Sequence, residues 1–158
     1  MDTGLVVALA VGIGFVAGLR SMTAPAAVSW AARLGWLDLQ GSPLAFMGST
    51  VAVAVFSLLT IGEFVADLLP STPNRTAPSP LVARAVSGGL SGACLFASAN
   101  RSLTLGALLG ALGGVIGAFA GYEARARVVA ALRMKDRVIA LSEDLVAVVL
   151  GWLIVSCR

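Results

Sequence analysis

Five long apolar runs, separated by short polar breaks, constrain this chain more than any other feature of its sequence. The runs cover residues 4–19, 46–69, 81–99, 103–122 and 138–157. Their lengths are close to the roughly 20 apolar residues that a helix needs to cross the hydrocarbon core of a bilayer. Only 12% of the residues are charged, about half of the roughly 25% of a soluble domain. We therefore expect an all-α, polytopic membrane bundle of about five transmembrane helices, forming a single domain over residues 1–158.

The basic residues predict how such a bundle would be oriented. The region 123–137, between the fourth and fifth runs, holds five of them, and the positive-inside rule places it in the cytoplasm. With five spans, the N-terminus would then be cytoplasmic and the C-terminus external. The first residues lack the basic segment that opens a secretory leader, so we expect the first helix to be retained.

A shorter apolar stretch, residues 24–37, predicts a further helix that is either interfacial or re-entrant. It contains Trp30 and Trp36, and tryptophan favours the membrane interface. Neither alternative changes the count of five spans. A full extra span here would instead place the N-terminus on the other side of the membrane.

The start of this short helix is a candidate anion site. Thr23 fits an N-cap and Pro25 falls in the first turn, while Arg20 and Ser21 come just before them. The free N–H groups and the positive dipole end of a helix favour an anion. If the helix is re-entrant, Arg20, Ser21 and Thr23 could bind a phosphate or a carboxylate. If it is interfacial, the same residues anchor it.

A pair of acidic residues ends the second run. Glu63 and Asp67 are four residues apart and share one helix face, where two carboxylates repel each other unless a cation, a proton or an arginine intervenes. The nearest arginines are Arg75 and Arg84. These residues predict either a proton or cation site or a network of salt bridges. Asn74 and Arg75 could also hold a headgroup phosphate.

A second acidic pair, Glu143 and Asp144, lies in the last run. Adjacent helical residues point about 100° apart, so we expect one carboxylate to face the bundle and the other the basic region. Glu143 is the expected interior group. The alternative is pairing with Arg133 or Arg137 at the interface.

Glycines spaced by four residues mark the third and fourth runs. The rows are Gly88 and Gly92; Gly106, Gly110 and Gly114; and Gly113, Gly117 and Gly121. Such rows let helix backbones approach closely. They predict either a glycine-zipper homodimer or tight packing inside one protomer.

Residue types that are absent narrow the chemistry. The sequence has no histidine, and its two cysteines, Cys94 and Cys157, lie inside apolar runs. This excludes His-based catalytic and metal motifs and favours packing roles for the cysteines. Because basic and aromatic residues are not interleaved, the net charge of +3 does not indicate nucleic-acid binding. We expect no cofactor, no metal and no nucleic-acid partner.

The order of the predicted elements has a weak internal symmetry. A span, a short helix and a span with acidic residues occur on either side of the third run. This pattern predicts two halves of opposite orientation, as in inverted-repeat transporters.

The element Glu-Phe-Val-Ala-Asp-Leu-Leu-Pro at 63–70, together with Gly-Leu-Arg at 18–20, resembles an uncharacterised family of small bacterial integral membrane proteins, the domain of unknown function 4126. Many members carry a lysine after the aspartate, where this chain has Leu68. The resemblance spans most of the chain and implies a helical bundle in the bacterial inner membrane. It implies no established activity.

Charges within apolar runs mark functional positions and favour a transporter or channel-like protein that binds or moves a small charged solute. Arg20, Arg75 and Arg84 would hold an anion, and Glu63, Asp67 and Glu143 would hold a proton or a cation. The alternative is a non-transporting module that binds anionic lipid headgroups or a protein partner through residues 123–137 and the proline-rich segment 70–80. An enzyme acting on a lipid phosphate is a minor third hypothesis.

Overall fold

The computed structural model describes residues 2–66, 76–132 and 136–157, and all regular structure in these ranges is helical. It consists of six α-helices and one 3₁₀ turn, Ala45–Gly48. The α-helices are α1 (Thr3–Leu19), α2 (Thr23–Arg33), α3 (Thr50–Ala66), α4 (Pro78–Ser98), α5 (Leu103–Leu132) and α6 (Asp136–Ser156). The all-α prediction is therefore confirmed.

In the part of the chain that the structure describes, two helices are long and apolar enough to cross a membrane. They are Pro78–Ser98, with 21 residues and a mean hydropathy of 1.3, and Leu103–Val128, with 26 residues and a mean hydropathy of 1.9. Two further helices, α1 and α3, are apolar but have 17 residues each.

The closest helix packing joins α1, α4 and α5, which meet at Gly14, Gly88 and Gly110. A Cβ atom built on Gly88 would lie 2.5 Å from the carbonyl oxygen of Gly110, and one built on Gly14 would collide with the same oxygen. Glycine is needed where helix backbones come this near. These glycines therefore pack inside one chain, as the second of the two interpretations predicts. The homodimer stays a prediction and would need other faces of the helices.

The directions of α1 and α6 show how the chain is threaded. Gly12 lies beside Ile154, whereas Arg20 forms an ion pair with Asp144, so the two helices are antiparallel. The start of α1 and the end of α6 thus lie at the same end of the bundle. The prediction of termini on opposite sides of a five-span bundle does not fit this packing, because α2 carries the chain back between α1 and α3.

The helix α2 is short and is enclosed by α1, α3, α4 and α6. Its 11 residues extend about 16 Å. It runs antiparallel to α3, since Met22 at its start contacts Glu63 and Trp30 Nε1 donates to Ser57 Oγ at 3.1 Å.

The turn after α2 depends on Gly35. Its φ of +75° is accessible to glycine without strain, and Trp36 N–H then bonds to Ala31 O at 2.8 Å, as in a Schellman cap. Trp36 packs edge-on against Trp152, with ring centroids 4.8 Å apart. Because Trp152 lies near the end of α6, residues 23–36 return the chain along much of the bundle.

The helix α5 continues without a break to Leu132, so residues 123–132 are the last turns of a long helix and not a separate short one. Moreover, α1 and α3 both end at the same end of the bundle and run in the same direction, whereas α5 and α6 run in opposite directions. The predicted inverted repeat therefore does not match the arrangement of the helices.

Candidate functional site

The break between α1 and α2 organises the candidate site. Arg20 ends α1 in an extended conformation, with φ −142° and ψ 112°, while its N–H still bonds to Val16 O at 2.8 Å. Its side chain is fully buried at 0% exposure. Around this break lie the end of α3, the first half of α4 and the first half of α6.

Four charged side chains from these elements form what we call the charge cluster: Arg20, Glu63, Arg84 and Asp144. Arg20, Arg84 and Asp144 are buried, and the Glu63 side chain is 14% exposed. Among the described residues the cluster contains two positive and two negative groups. An enclosed set of charges needs this balance, because an uncompensated buried charge is very costly.

The carboxylate of Glu63 lies at the start of α2. It accepts hydrogen bonds from Ser21 N at 2.8 Å, Ser21 Oγ at 2.8 Å and Met22 N at 2.9 Å. These donors come just before the first helical residue, where the helix dipole favours a negative charge. The position from which the sequence predicts anion binding thus holds an anionic group of the same chain.

Glu63 also lies near a cationic side chain of α4. Arg84 Nη2 is 3.9 Å from Glu63 Oε1, which is longer than the roughly 2.7–2.9 Å of a charge-assisted hydrogen bond. The carboxylate is therefore firmly bonded to the start of α2 and only loosely paired with α4.

The second ion pair joins Arg20 to Asp144 of α6. The Arg20 guanidinium also lies over the Phe64 ring, with Cζ 5.6 Å from the ring centroid, a cation–π arrangement. The pair thus links the end of α1 to both α3 and α6.

Both carboxylates of the pair are largely enclosed, with side chains 9% exposed for Asp144 and 13% for Glu143, but Asp144 is the one that pairs with Arg20. Asp144 faces α1 and Arg20, so its neighbour Glu143 turns away by about 100°. Glu143 Oε2 instead lies 4.0 Å from Arg125 Nη1 of α5. The side chains of Arg133 and Arg137 lie outside the described part, so their pairing stays a prediction.

Thr23 does not act as the N-cap. It is the first residue of α2, Met22 precedes it, and no side-chain cap bond is made. Its hydroxyl is buried and has no hydrogen-bond partner in the described ranges. The Glu63 carboxylate of another helix instead accepts from Ser21 N and Met22 N, the backbone N–H groups just before α2. Pro25 falls in the first turn, as predicted.

Of the sequence-predicted site residues, Arg20, Ser21, Glu63, Arg84 and Asp144 come together at this break, with Thr23 adjoining and Glu143 beside them. Asp67, Asn74 and Arg75 lie outside the described residues. Whether any of these groups binds a ligand stays a prediction.

Three contributors were missed by sequence reasoning. Met22 takes part through its backbone N–H, which no residue type reveals. Phe64 directly follows Glu63 in the quoted motif and could have been singled out. Arg125 is 18 residues before Glu143, and only the hairpin of α5 and α6 brings the two together.

These observations define a class of protein. In the described residues it is an all-helical bundle with two helices long and apolar enough to cross a membrane, and with a cluster of paired charges at a helix break. The family model for Domain of unknown function (DUF4126) matches residues 7–157. The chain therefore belongs to this family, and the resemblance noted from its sequence is confirmed. No curated protein and no solved structure matches the chain.

Proposed function

We propose that the protein is a multi-pass protein of the bacterial inner membrane and that it binds or moves a small charged solute at the charge cluster. The first support is the surface. Val51, Leu58 and Leu145 are 72%, 68% and 66% exposed, and similar side chains extend over the outer faces of α4 and α5. Extended apolar faces mark contact surfaces, and lipid is the partner that helices of this composition fit.

The proposed arrangement has six alternating passes, of which the second consists of α2 and residues 34–49. If the basic region at the end of α5 is cytoplasmic, the charge cluster lies towards the cytoplasm. The start of α1 and the end of α6 then face outside. In this arrangement α2 is the helical part of a crossing segment, and its enclosure by four other helices leaves it little contact with lipid.

The observation that carries the functional proposal is the charge cluster itself. Apolar side chains of similar volume would hold these helices together at least as well as buried ion pairs do. Charged groups deep in membrane bundles more often mark the paths of ions and solutes. Here two arginines and two carboxylates meet at a helix break, which is where broken helices of transporters bind charged groups.

Glu63 gives the cluster a way to change state. Its carboxylate is bonded to the start of α2, and Arg84 lies 3.9 Å away as an alternative partner. An anion that binds better to the α2 N–H groups would release Glu63 towards Arg84. A proton on Glu63 would weaken both contacts. The anion or the proton would favour a second conformation of the cluster to the extent that it binds that conformation more tightly than the first.

Flux into proteoliposomes tests the proposal. Separate vesicles would contain chloride, acetate, phosphate, sodium or potassium, and a pH-sensitive dye would report protons. We expect flux of at least one ion above that of protein-free vesicles. Glu63→Gln should reduce this flux about tenfold or more, because hydrogen bonds to a charged group are worth about 1.5–3 kcal/mol and the amide cannot keep all of them.

The matched control is Glu123→Gln. Glu123 is 62% exposed and pairs with Arg127 on the surface of α5, so its loss should leave flux unchanged. Unaltered flux in a folded Glu63→Gln protein would rule out the coupling role of Glu63. Absence of flux for all these ions would rule out transport of this solute class.

Lipid-headgroup binding through α5 is the second candidate. The Arg127 side chain is 82% exposed and could reach a headgroup, whereas Arg125 is engaged with Glu143. Native mass spectrometry would show a retained anionic lipid that is lost on Arg127→Gln if this function holds.

A further inference from the structure

A groove of about 530 Å³ opens at the end of the bundle opposite the charge cluster. It lies between the end of α2 and the start of α3, and residues 32–40 and 45–49 contribute its walls. Neither the proposed transport function nor the family assigns a role to this region.

Two opposite charges line the groove without neutralising each other. Arg33 is exposed and makes no ion pair or hydrogen bond in the described part of the chain. Asp38 accepts a hydrogen bond from Gln40 N at 3.0 Å and keeps further acceptor capacity. The groove therefore offers a cationic donor and an anionic acceptor to one occupant.

The start of α3 adds to the anion-binding side. Ser49 lines the groove and caps α3, since Ala52 N donates to Ser49 Oγ at 3.1 Å. The positive dipole end of this 17-residue helix therefore faces the same region as the Arg33 guanidinium and favours a phosphate there.

Two exposed apolar side chains belong to residues that are next to lining residues in the sequence. Leu34 and Phe46 are 49% and 53% exposed, and each adjoins a lining residue in the chain. In the proposed membrane arrangement these side chains would contact acyl chains, while the groove lies at the level of the headgroups.

We infer that this groove binds a zwitterionic phosphodiester of the phosphoethanolamine class, with its phosphate at Arg33 and its ammonium at Asp38. A primary ammonium can donate hydrogen bonds to the Asp38 carboxylate. A choline group cannot, and it is usually held by aromatic faces, which the described lining of the groove lacks.

Native mass spectrometry of the full chain tests the inference. The protein would be released from vesicles of equal amounts of phosphatidylethanolamine, phosphatidylcholine and phosphatidylglycerol with matched acyl chains. We expect preferential retention of phosphatidylethanolamine. Arg33→Gln should lower its retention about tenfold or more, the effect of losing one hydrogen bond to a charged group.

Asp38→Asn separates a zwitterion site from a simple anion site. It should abolish the preference for phosphatidylethanolamine over phosphatidylcholine and leave phosphatidylglycerol retention unchanged. The control is Arg101→Gln, which removes an exposed arginine that does not line the groove and should leave the preference intact. Because Arg33 and Asp38 are exposed, both variants should fold normally, as thermal unfolding will verify.

Glycerophosphoethanolamine, which has no acyl chains, distinguishes a soluble ligand from a lipid of the bilayer. If it competes at concentrations similar to the lipid, the ligand is a soluble solute; if only the lipid is retained, it is a bilayer component. Equal retention of phosphatidylethanolamine and phosphatidylcholine by the unaltered protein, or wild-type retention by Arg33→Gln, would overturn the inference.

Discussion

At the scale of single residues, Glu63 is the group on which the start of α2 depends. From α3 it supplies the acceptor for the backbone N–H groups of Ser21 and Met22, the two residues that precede α2. Ser21 and Arg20 could be predicted as parts of this site because they adjoin a helix start. That Glu63 is the anion could not, because the contact spans 42 residues of sequence.

Glu63→Gln should lower the free energy of unfolding by about 1–3 kcal/mol, the cost of leaving a buried donor without its acceptor. A neutral amide accepts on one atom only, so Ser21 and Met22 cannot both keep their bonds to it. The midpoint of thermal unfolding in detergent is the measurement. Glu123→Gln is the control and should change stability by less than about 0.5 kcal/mol; equal effects of the two would contradict this account of Glu63.

Arg20 and Asp144 should behave as a coupled pair. Removing one partner of a buried ion pair costs about 3–5 kcal/mol, because the other charge stays buried and uncompensated. We expect Arg20→Met and Asp144→Leu each to destabilise strongly, and the double variant to cost less than either single one. A double-mutant cycle on unfolding free energies measures this coupling; additive effects would show that the two side chains are independent.

At the scale of helices, glycine positions decide how closely α1, α4 and α5 can pack. The four-residue spacing predicted close helix contacts, and the contacts occur. The sequence could not tell whether the partner helix belongs to the same chain or to a second copy, because the rows are compatible with both. The collision that a Cβ atom at Gly110 would make with Gly88 answers this for the described helices.

Gly110→Ala should therefore destabilise the bundle by several kcal/mol or prevent its folding, since backbone and not a flexible side chain blocks the added methyl group. Gly62→Ala on α3 is the matched control. A Cβ atom there has no neighbour within 4 Å, and alanine favours helix by about 0.5–1 kcal/mol. The yield of folded protein and its thermal midpoint are the readouts; equal tolerance of both variants would contradict the packing described here.

Helix boundaries followed the apolar runs closely where polar residues interrupt them. The starts and ends of α1, α4 and α6 lie within about three residues of the runs. The change from apolar to basic residues at 123–132 predicts a new element, but α5 continues through it to Leu132. A helix can leave the apolar layer without ending, so composition alone does not mark its end.

At the scale of the whole molecule, the helical bundle could be predicted from apolar runs, but the threading could not. Counting α2 as interfacial or re-entrant left an odd number of passes. The contacts of Trp36 with Trp152 and of Arg20 with Asp144 show that α2 and its following segment return the chain. The length of α2 does not indicate that the chain crosses the bundle here, because residues 34–49 cover part of the distance.

Because α2 and residues 34–49 return the chain, the side of the membrane on which each terminus lies is the most direct test of the proposed membrane arrangement. Three proteins with a single cysteine would be compared, all in a Cys94→Ala background. One keeps the native Cys157, which is exposed. The other two carry Cys157→Ser together with either Thr3→Cys or Arg127→Cys. Intact cells would be treated with a membrane-impermeant maleimide, and permeabilised cells would control for reactivity. We predict that Cys157 and the Thr3→Cys variant are labelled in intact cells, and the Arg127→Cys variant only after permeabilisation. Labelling of Cys157 and the Thr3→Cys variant from opposite sides would contradict the account.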